Sequence, residues 1–470
     1  ILTEAQKTTL DGYLALKASD EKLHFDAFPE WKEVLADLQA DIKKFYAENE
    51  GKTVGKDMPG YDSVELHMWH IYTGGLRQMN DGKWVASDID LARTLAENAL
   101  GTYEWCVDSL NVEGQYGKGA GKSLFTVLGA MWPRTHKFMT STPLIDTLKK
   151  AAEKEGVKLY TEVAAKSLIT DENGKVVGAN CEKADGTKVT VNTKKGVILT
   201  SGGYGANPKM VKEYDNYWGD NLTDHTLTTN VGTNTGDGIV MAQEIGADIE
   251  CMGRFLGMFM SEYGTNYELA FMHTSTPGIM VNASGDEFGN ITASNHTVLS
   301  KAMMDEANGG EFYYIYDDEA AQKTRDFDAY GFSYQSIFER EATQHYDSVE
   351  DAAKALGLDN LKDAIEANNK YAMAGEPNEF GRKICPYIET RDGIWVTRVV
   401  PTLYLTTGGL VTDTDTHVMN KDGNAIKGLY AAGDVAGSIE EKDGKTYGNG
   451  FDQALGYGYH AAEIVAEEIH

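Results

Sequence analysis

The sequence predicts an α/β fold in which a second, mixed unit interrupts an open sheet. Two segments predict the sheet: in 426–437 an apolar strand runs into Gly-Asp, and in 196–203 an apolar strand runs into Thr-Ser-Gly-Gly. The interruption is predicted by residues 240–375, where helix and strand patterns alternate without such glycines. Ligands of open α/β sheets bind beyond the carboxyl ends of the strands, so both turns are candidate nucleotide contacts.

Composition limits the classes of partner. The chain has 470 residues, 41% of them hydrophobic, and a formal net charge of −29. A polyanion repels phosphate backbones and anionic lipid, so we expect neither nucleic acid nor a membrane surface as a partner. The four cysteines stand singly, without the spacing of a zinc site, an iron–sulfur cluster or a disulfide framework. No apolar run reaches the roughly 18 residues of a membrane span, so no span is predicted.

The first 110 residues are predicted to be mainly helical. Apolar residues recur at the helical period in 31–46 and again in 89–110. Between them, the glycine- and aromatic-rich stretch 58–75 is predicted to be a loop.

The next region combines a helix with a small meander. An amphipathic helix is predicted from Leu144 to Lys154, and Asn-Gly and Asp-Gly turns between alternating segments indicate hairpins. Strands are predicted over 157–160, 165–170, 176–181, 188–192 and 196–200. From about residue 376 strands and turns return, and they lead to a last helix over 454–469. We therefore expect three parts: 1–239 and 376–470 form one nucleotide-binding domain, and 240–375 is inserted between them.

Nine short strings occur in one order along the chain, and together they indicate a family. They are Gly74-Gly75, Ser-Thr-Pro-Leu-Ile-Asp at 141–146, 196–205, Thr-Gly-Asp-Gly at 235–238, Gly-Ile-Met-Val-Asn at 278–282, Phe-Gly-Arg at 380–382, Thr-Gly-Gly-Leu at 407–410, Gly433-Asp434 and Gly-Asn-Gly-Phe at 448–451. In this order they resemble the flavoproteins that include soluble fumarate reductases, urocanate reductases and 3-ketosteroid dehydrogenases.

The resemblance implies a two-dinucleotide-binding-domain flavoprotein: a Rossmann-like FAD domain with an inserted α+β capping domain. FAD is the implied cofactor, with Asp434 on the ribityl chain, Val163 at the adenine, and a helix N-terminus at Gly450 and Phe451 facing the flavin. The implied FAD contacts are Val163, Thr200, Ser201, Gly202, Gly203, Asp237, Gly408, Gly433, Asp434, Asn449, Gly450 and Phe451. For Asp237 an alternative stays open, because Gly-Asp-Gly before a helix also suits a cap.

The resemblance also implies a reaction, a hydride exchange between flavin N5 and a C=C or CH–CH bond next to a carbonyl. The arginines and histidines that clamp two carboxylates in fumarate reductases have no counterparts here: Asn295 stands at the place of the proton-donating arginine, and 402–406 lacks the histidine pair. An enone or ketosteroid-like substrate is therefore expected, with reduction favoured over dehydrogenation. The alternatives are a 3-ketosteroid-type dehydrogenase and a fumarate reductase-like flavoprotein subunit acting mainly in electron transfer.

Four residues are the catalytic candidates. Tyr404, Tyr447 and His296 are proposed as proton donors in that order, and Arg254 as a substrate contact. Each has a structural alternative, since tyrosines also pack near flavins and histidines also lie in cores or on surfaces.

One family feature is absent from the sequence. No strand leads into G-x-G-x-x-G with an acid about 20 residues on, the arrangement that holds the FAD pyrophosphate. The glycines of 456–461 lie in a predicted helix, and those of 119–123 lack the first glycine of a P-loop. We expect the missing unit to come from a removed N-terminal segment or a separate polypeptide. The electron donor or acceptor is not identifiable; the cytoplasm is the favoured compartment, and export stays open.

Overall fold

The structure is a computed structural model. It describes residues 1–78, 82–110, 124–125, 132–136, 142–215, 218–228, 230–253, 255–260, 278–289, 301, 304–305, 311–326, 338–382, 384–437 and 451–467.

Eleven α-helices lie in the described ranges. They are α1 (Glu4–Ala15), α2 (Trp31–Glu48), α3 (Val64–Gly75), α4 (Ile89–Glu104), α5 (Thr142–Lys154), α6 (Pro208–Glu213), α7 (Asp237–Gln243), α8 (Asp318–Asp326), α9 (Val349–Leu356), α10 (Leu361–Ala374) and α11 (Phe451–Glu467). A 3₁₀ turn occupies Glu21–Leu23, and a π turn at Trp105–Ser109 extends α4. The helices predicted over 31–46, 89–110, 144–154 and 454–469 are confirmed, with shifted ends.

Helices α1 to α4 and α11 share one apolar core. Trp31 of α2 and Tyr72 of α3 are inaccessible and stack with ring centroids 4.7 Å apart. From α11, the Tyr457 hydroxyl donates to the carbonyl of Leu91 in α4 at 2.7 Å. The C-terminal helix is thus fixed on the N-terminal helices, so the chain's two ends belong to one body.

The loop predicted over 58–75 is wrong for its second half, which forms α3. The Ser63 hydroxyl accepts the N–H of Leu66 at 3.1 Å and so caps the helix. Most residues from Leu66 to Tyr72 are buried, so the segment has no polar face and lacks the helical alternation of apolar and polar residues. Gly74 and Gly75, which suggested a loop, are the last residues of the helix.

Seventeen strands are present in the described ranges, several of them only two residues long. They are β1 (Arg77–Gln78), β2 (Trp84–Val85), β3 (Leu124–Phe125), β4 (Thr135–His136), β5 (Val163–Thr170), β6 (Val176–Lys183), β7 (Lys188–Asn192), β8 (Val197–Leu199), β9 (Ile249–Glu250), β10 (Phe255–Met260), β11 (Ile279–Val281), β12 (Phe312–Tyr316), β13 (Thr343–Tyr346), β14 (Ile394–Thr406), β15 (Gly409–Leu410), β16 (His417–Met419) and β17 (Ala425–Ala431).

The predicted meander forms, without its first strand. Strands β5, β6 and β7 pair antiparallel in order, as the turns predict. Residues 157–160 form no strand, and the side chains of Val157, Leu159 and Tyr160 are 59%, 62% and 70% exposed. Within the described residues this segment has no neighbouring strand to satisfy its backbone groups, which is why its apolar alternation alone does not make it a strand.

Two sheets matter for the site. In the first, β17 lies between β16 and β8 and runs parallel to β8. In the second, β14 pairs with β12 over 395–399 and with β10 over 400–406, while β11 lies beyond β12 and β13 also pairs with β14. Helices α9 and α10 pack on β11 and β12 in a separate apolar core. The 13 residues of β14 therefore link this core to the one around β8 and β17.

No helix in the described ranges is long and apolar enough to cross a membrane.

Candidate functional site

Strands β8 and β17 bring the two glycine-rich turns to one edge. They pair in parallel register, Val197 opposite Leu429 and Leu199 opposite Ala431, and the N–H of Ala432 donates to the carbonyl of Leu199 at 3.1 Å. Parallel strands end at the same edge of a sheet. The residues after β8 (200–203) and after β17 (433–434) therefore emerge side by side, as the sequence predicts.

Gly203 lies where three chain segments meet. A Cβ at this position would lie 3.4 Å from Cβ of Asp434 and 2.2 Å from Oγ1 of Thr406, the last residue of β14. Only a glycine permits this approach. Gly203, Thr406 and Asp434, which are distant in sequence, thus converge at the end of the parallel strands.

Asp434 has the electrostatics of a ligand-facing carboxylate. Gly433 adopts φ +78°, the left-handed region that glycine enters without strain, and so turns the chain sharply at the end of β17. Asp434 is partly accessible to solvent, but its carboxyl is largely surrounded by protein. This burial raises the pKa of the carboxyl to about 6. It has no hydrogen-bond partner in the described part of the chain. A buried carboxylate without a partner is costly unless a ligand supplies the donors.

The double glycine 408–409 packs directly on backbone. A Cβ at Gly408 would lie 2.3 Å from the carbonyl oxygen of Cys251, and one at Gly409 would lie 2.4 Å from that of Val435. Next to them, the hydroxyl of Thr407 is buried and has no hydrogen-bond partner among the described residues. Buried hydroxyls in folded proteins are nearly always bonded, so the Thr407 hydroxyl is suited to contact a ligand.

The start of α7 lies against the first turn. A Cβ at Gly238 would lie 2.1 Å from the Ser201 hydroxyl, so helix and turn are in close contact. Asp237, the first residue of α7, is exposed, and its carboxylate accepts the Thr235 hydroxyl at 2.8 Å. This bond suits the local alternative, a first-turn acid at a helix N-terminus. The FAD contact of Asp237 stays a prediction.

Tyr404 occupies a β-bulge. In the ladder between β10 and β14, Leu256 pairs with Leu405 and Gly257 pairs with Leu403, which leaves Tyr404 as the extra residue. Bulges redirect side chains and are frequent beside active sites. The bulge lies two residues before Thr406, which touches Gly203.

The remaining predicted residues are less constrained. Val163 begins β5, which packs against α7, and its adenine contact stays a prediction. Phe451 is the first residue of α11, so its backbone lies at a helix N-terminus as predicted, and its FAD contact stays a prediction. The glycines of 456–461 lie inside α11, so they form no dinucleotide turn. Arg254, His296, Tyr447, Asn449 and Gly450 lie outside the described residues, as do the glycines of 119–123.

Comparison with known proteins identifies the family. The profile of a family described as an FAD binding domain matches residues 52–442. The chain belongs to this family. A protein named NADH:acrylate oxidoreductase from Vibrio harveyi is 31% identical over 419 residues, which are 87% of this chain but 40% of that protein. The chain therefore spans less than half the length of this relative.

Solved structures agree with the family. The open conformation of a flavocytochrome c3 fumarate reductase superposes with a TM-score of 0.68 at 25% identity, covering 87% of this chain and 68% of that one. A 3-ketosteroid dehydrogenase from Rhodococcus jostii RHA1 gives a TM-score of 0.62 at 22% identity, covering 86% and 84%, and so shows the fold alone. The predicted FAD-binding fold and the predicted resemblance are confirmed.

The residues at the junction fit FAD. Among the described residues, the Asp434 carboxylate has no hydrogen-bond donor and the Thr407 hydroxyl has no partner, and the hydroxyls of a ribityl chain or ribose can supply both. Glycines at 203, 408 and 409 bring backbone close together around these groups. FAD is thus compatible with the polar groups that the protein presents at this edge.

Sequence reasoning missed Tyr204, Thr406 and Thr407 as site residues. The Thr-Asn-rich stretch 228–236 was also missed: Asn230 and Thr228 contact the carbonyl of Leu403, next to the bulge. Hydroxyl and amide side chains directly before or after glycine turns were the available indication. Only the fold shows which of them meet.

Proposed function

We propose that the protein is an FAD-dependent oxidoreductase that exchanges a hydride with a C=C or CH–CH bond next to a carbonyl, mainly as a reductase. The observation that carries the proposal is that β14 ends at the FAD edge, which we define as the turns 200–203 and 433–434. The bulge at Tyr404 lies two residues before Thr406, and Thr406 lies against Gly203. When bound, FAD supplies the hydride acceptor and donor. The relative named for acrylate and the structure named for fumarate support this class of bond.

Different residues of the chain are proposed to contact different parts of FAD. The Asp434 carboxylate would accept hydrogen bonds from the cofactor, and the buried Thr407 hydroxyl would donate or accept one. Phe451 begins a 17-residue helix, whose N-terminal N–H groups and dipole favour negative charge. In this proposal Asn449 and Gly450 complete that helix start, and it faces the flavin edge where charge accumulates on reduction.

Tyr404 is the proposed proton donor, ahead of Tyr447 and His296. A phenol with its usual pKa near 10 stays protonated at neutral pH and donates to a developing enolate. The bulge supports Tyr404 as the donor, because a bulge interrupts the alternation of side chains along β14 at this residue. In the alternative, its ring only packs near the flavin.

The proposed substrate carries one carbonyl rather than two carboxylates. Arginine is the usual bidentate partner of carboxylates. Around the sheet of β11, β12 and β14, Arg382 is buried and donates to the carbonyl of Gly278 at 2.7 Å, Arg398 lies 3.8 Å from Glu311, and Arg325 lies over an aromatic ring. Each of these three arginines thus has a neighbour within the protein. Enones, including ketosteroid-like ones, and monocarboxylates such as acrylate are the preferred candidates.

Reoxidation of the reduced flavin tests the proposal. The FAD-loaded protein is reduced with dithionite without oxygen, and a cyclic enone, a steroid enone, acrylate and fumarate are added separately while flavin absorbance is followed. We expect at least one singly activated alkene to reoxidise the flavin. If none does, the enzyme proposal fails and the electron-transfer alternative is favoured. The reverse reaction, with an artificial electron acceptor and the saturated ketone, distinguishes a dehydrogenase.

The proposal includes a pyrophosphate-binding unit contributed from outside residues 1–470. Strand β8 pairs with β17 on one side, and no described strand bonds its other side, where Ile198 is 38% exposed. Free strand edges are usually covered in proteins. Mass analysis of FAD-containing protein decides: stoichiometric FAD on a single 51.5 kDa polypeptide would contradict this part. The electron partner is left open.

A further inference from the structure

Tyr204 connects three segments of the site. It directly follows Gly203, is inaccessible, and donates its backbone N–H to the Thr406 hydroxyl at 3.1 Å. Its own hydroxyl accepts the N–H of Gly253 at 2.9 Å. One buried residue thus bonds to the end of β14 and to the residue two positions before β10.

These two bonds hold two crossings of the chain, by which we mean the approach to β10 at Gly253 and the end of β14 at Thr406. The crossings also touch each other, since Phe255 pairs with Thr406 and Gly408 packs on the Cys251 carbonyl. Gly253 has φ +82°, so the first crossing turns sharply where Tyr204 binds it.

We infer that Tyr204, together with Thr406, is a positioning residue that fixes the β10–β14 pair, and with it the bulge at Tyr404, against the FAD edge. The inference rests on the proposed function, because it assigns to Tyr204 the alignment of the proton donor. The geometry is direct: Tyr204 is bonded at its backbone to Thr406, two residues from Tyr404, and at its hydroxyl to Gly253, one residue before Arg254.

The two functions of Tyr204 can be separated chemically. Its ring lies in the same apolar core as Met210, and a Cβ added at Gly236 would lie 3.0 Å from Cβ of Tyr204. Phenylalanine keeps that ring and removes the hydroxyl from Gly253. A buried N–H left without its acceptor is costly, so the crossing at Gly253 is expected to shift or open.

A matched control exists in the second unit. Tyr314 is 1% exposed, and its hydroxyl also accepts a glycine N–H, that of Gly278, at 2.9 Å. Tyr204→Phe and Tyr314→Phe therefore remove the same kind of bond at two places. In the FAD-loaded protein we expect Tyr204→Phe to slow flavin reoxidation by the best enone about tenfold per bound FAD. Tyr314→Phe is expected to stay within about twofold, at similar thermal stability.

Hydrogen exchange gives a readout that does not need turnover. Amides of the 250–256 peptide are expected to exchange faster in Tyr204→Phe than in the wild type, and to be unchanged in Tyr314→Phe. Thr406→Val is expected to slow flavin reoxidation as Tyr204→Phe does. Thr406→Ser keeps the hydroxyl and is expected to react at the wild-type rate.

Two results would overturn the inference: unchanged exchange in the 250–256 peptide of Tyr204→Phe, or equal rates per bound FAD in Tyr204→Phe and wild type. If no alkene reoxidises the wild-type flavin, the proposed function fails. In that case the positioning claim is still judged by the exchange of the 250–256 peptide and by the flavin absorbance band, which we expect to shift in Tyr204→Phe alone.

Discussion

Replacing Asp434 by Asn is expected to stabilise the FAD-free protein above pH 6 and to weaken FAD retention. Burial raises the pKa of this carboxyl from 3.8 to about 6, so its ionised form is less favourable in the folded protein than in the unfolded chain. At 1.36 kcal/mol per pKa unit, a shift of about two units corresponds to about 3 kcal/mol. Asparagine has the same shape without the charge.

The sign of the pH effect follows from proton binding. Between pH 3.8 and about 6, the folded protein retains the proton of Asp434 that the unfolded chain has lost. The contribution of Asp434 to the free energy of unfolding therefore falls as pH rises through this window, and its full penalty is present above pH 6. The stabilisation by Asp434→Asn is thus expected at pH 8 and should be mostly absent at pH 4.

Urea unfolding of FAD-free protein at pH 4 and pH 8 measures this effect, with Asp237→Asn as the control. Asp237 is exposed, and its carboxylate accepts the Thr235 hydroxyl of its own turn, so its replacement should change the free energy of unfolding little. Flavin content after gel filtration measures retention in the Ala variants. Asp434→Ala and Asp237→Ala are each expected to lose FAD more than stability, since both were predicted as cofactor contacts.

Two outcomes would refute the reasoning on Asp434. An Asp434→Asn variant less stable than the wild type at pH 8 would show that the carboxylate is satisfied within the protein. Normal flavin content in Asp434→Ala would show that FAD does not use this carboxylate, whatever its pKa.

Three further predictions concern the chemistry and the helical core. Tyr404→Phe should slow hydride transfer and leave substrate binding near normal. If Tyr404→Phe keeps full turnover while Tyr447→Phe or His296→Ala abolishes it, the ranking of the proton donors is wrong. Fumarate should be turned over at least ~100-fold more slowly than the best enone, since charged hydrogen bonds worth ~1.5–3 kcal/mol are absent; equal rates would contradict this. Burial and the Arg134 charge hold the pKa of His70 well below 6.5, so stability should fall as pH drops below 6.5. Urea unfolding at pH 7 and 5 should show a shallower fall in His70→Gln; an identical fall would exclude His70 as the cause.

The parts of the fold that the sequence predicts are those specified locally. Strands β8 and β17 are short apolar runs that end in glycine, and the meander has its turns in the sequence. A parallel pair ending at one edge then follows without further information. The convergence of Gly203 and Asp434 could therefore be predicted from two motifs that lie over 200 positions apart.

The rest depends on contacts that no local pattern contains. The bond between Tyr204 and Thr406 spans 202 positions, and the bulge at Tyr404 is a property of the pairing between β10 and β14 rather than of either strand. Helix α3 was missed for a related reason, since burial on nearly all sides removes the periodicity by which helices are recognised. Thr407 becomes informative only when its buried hydroxyl is seen to have no partner in the described part of the chain.

The length of β14 restricts how this architecture can be recombined. One uninterrupted strand contributes residues 395–399 to the sheet of the second unit and residues 400–406 to the junction with the FAD core. Because side chains alternate along a strand, inserting or deleting one residue between these halves would invert the facing of one half relative to the other. A second unit taken from a relative would therefore have to be grafted with its own partner strand and in matching register. Natural diversification of this unit is correspondingly expected in loops that leave β14 unchanged in length.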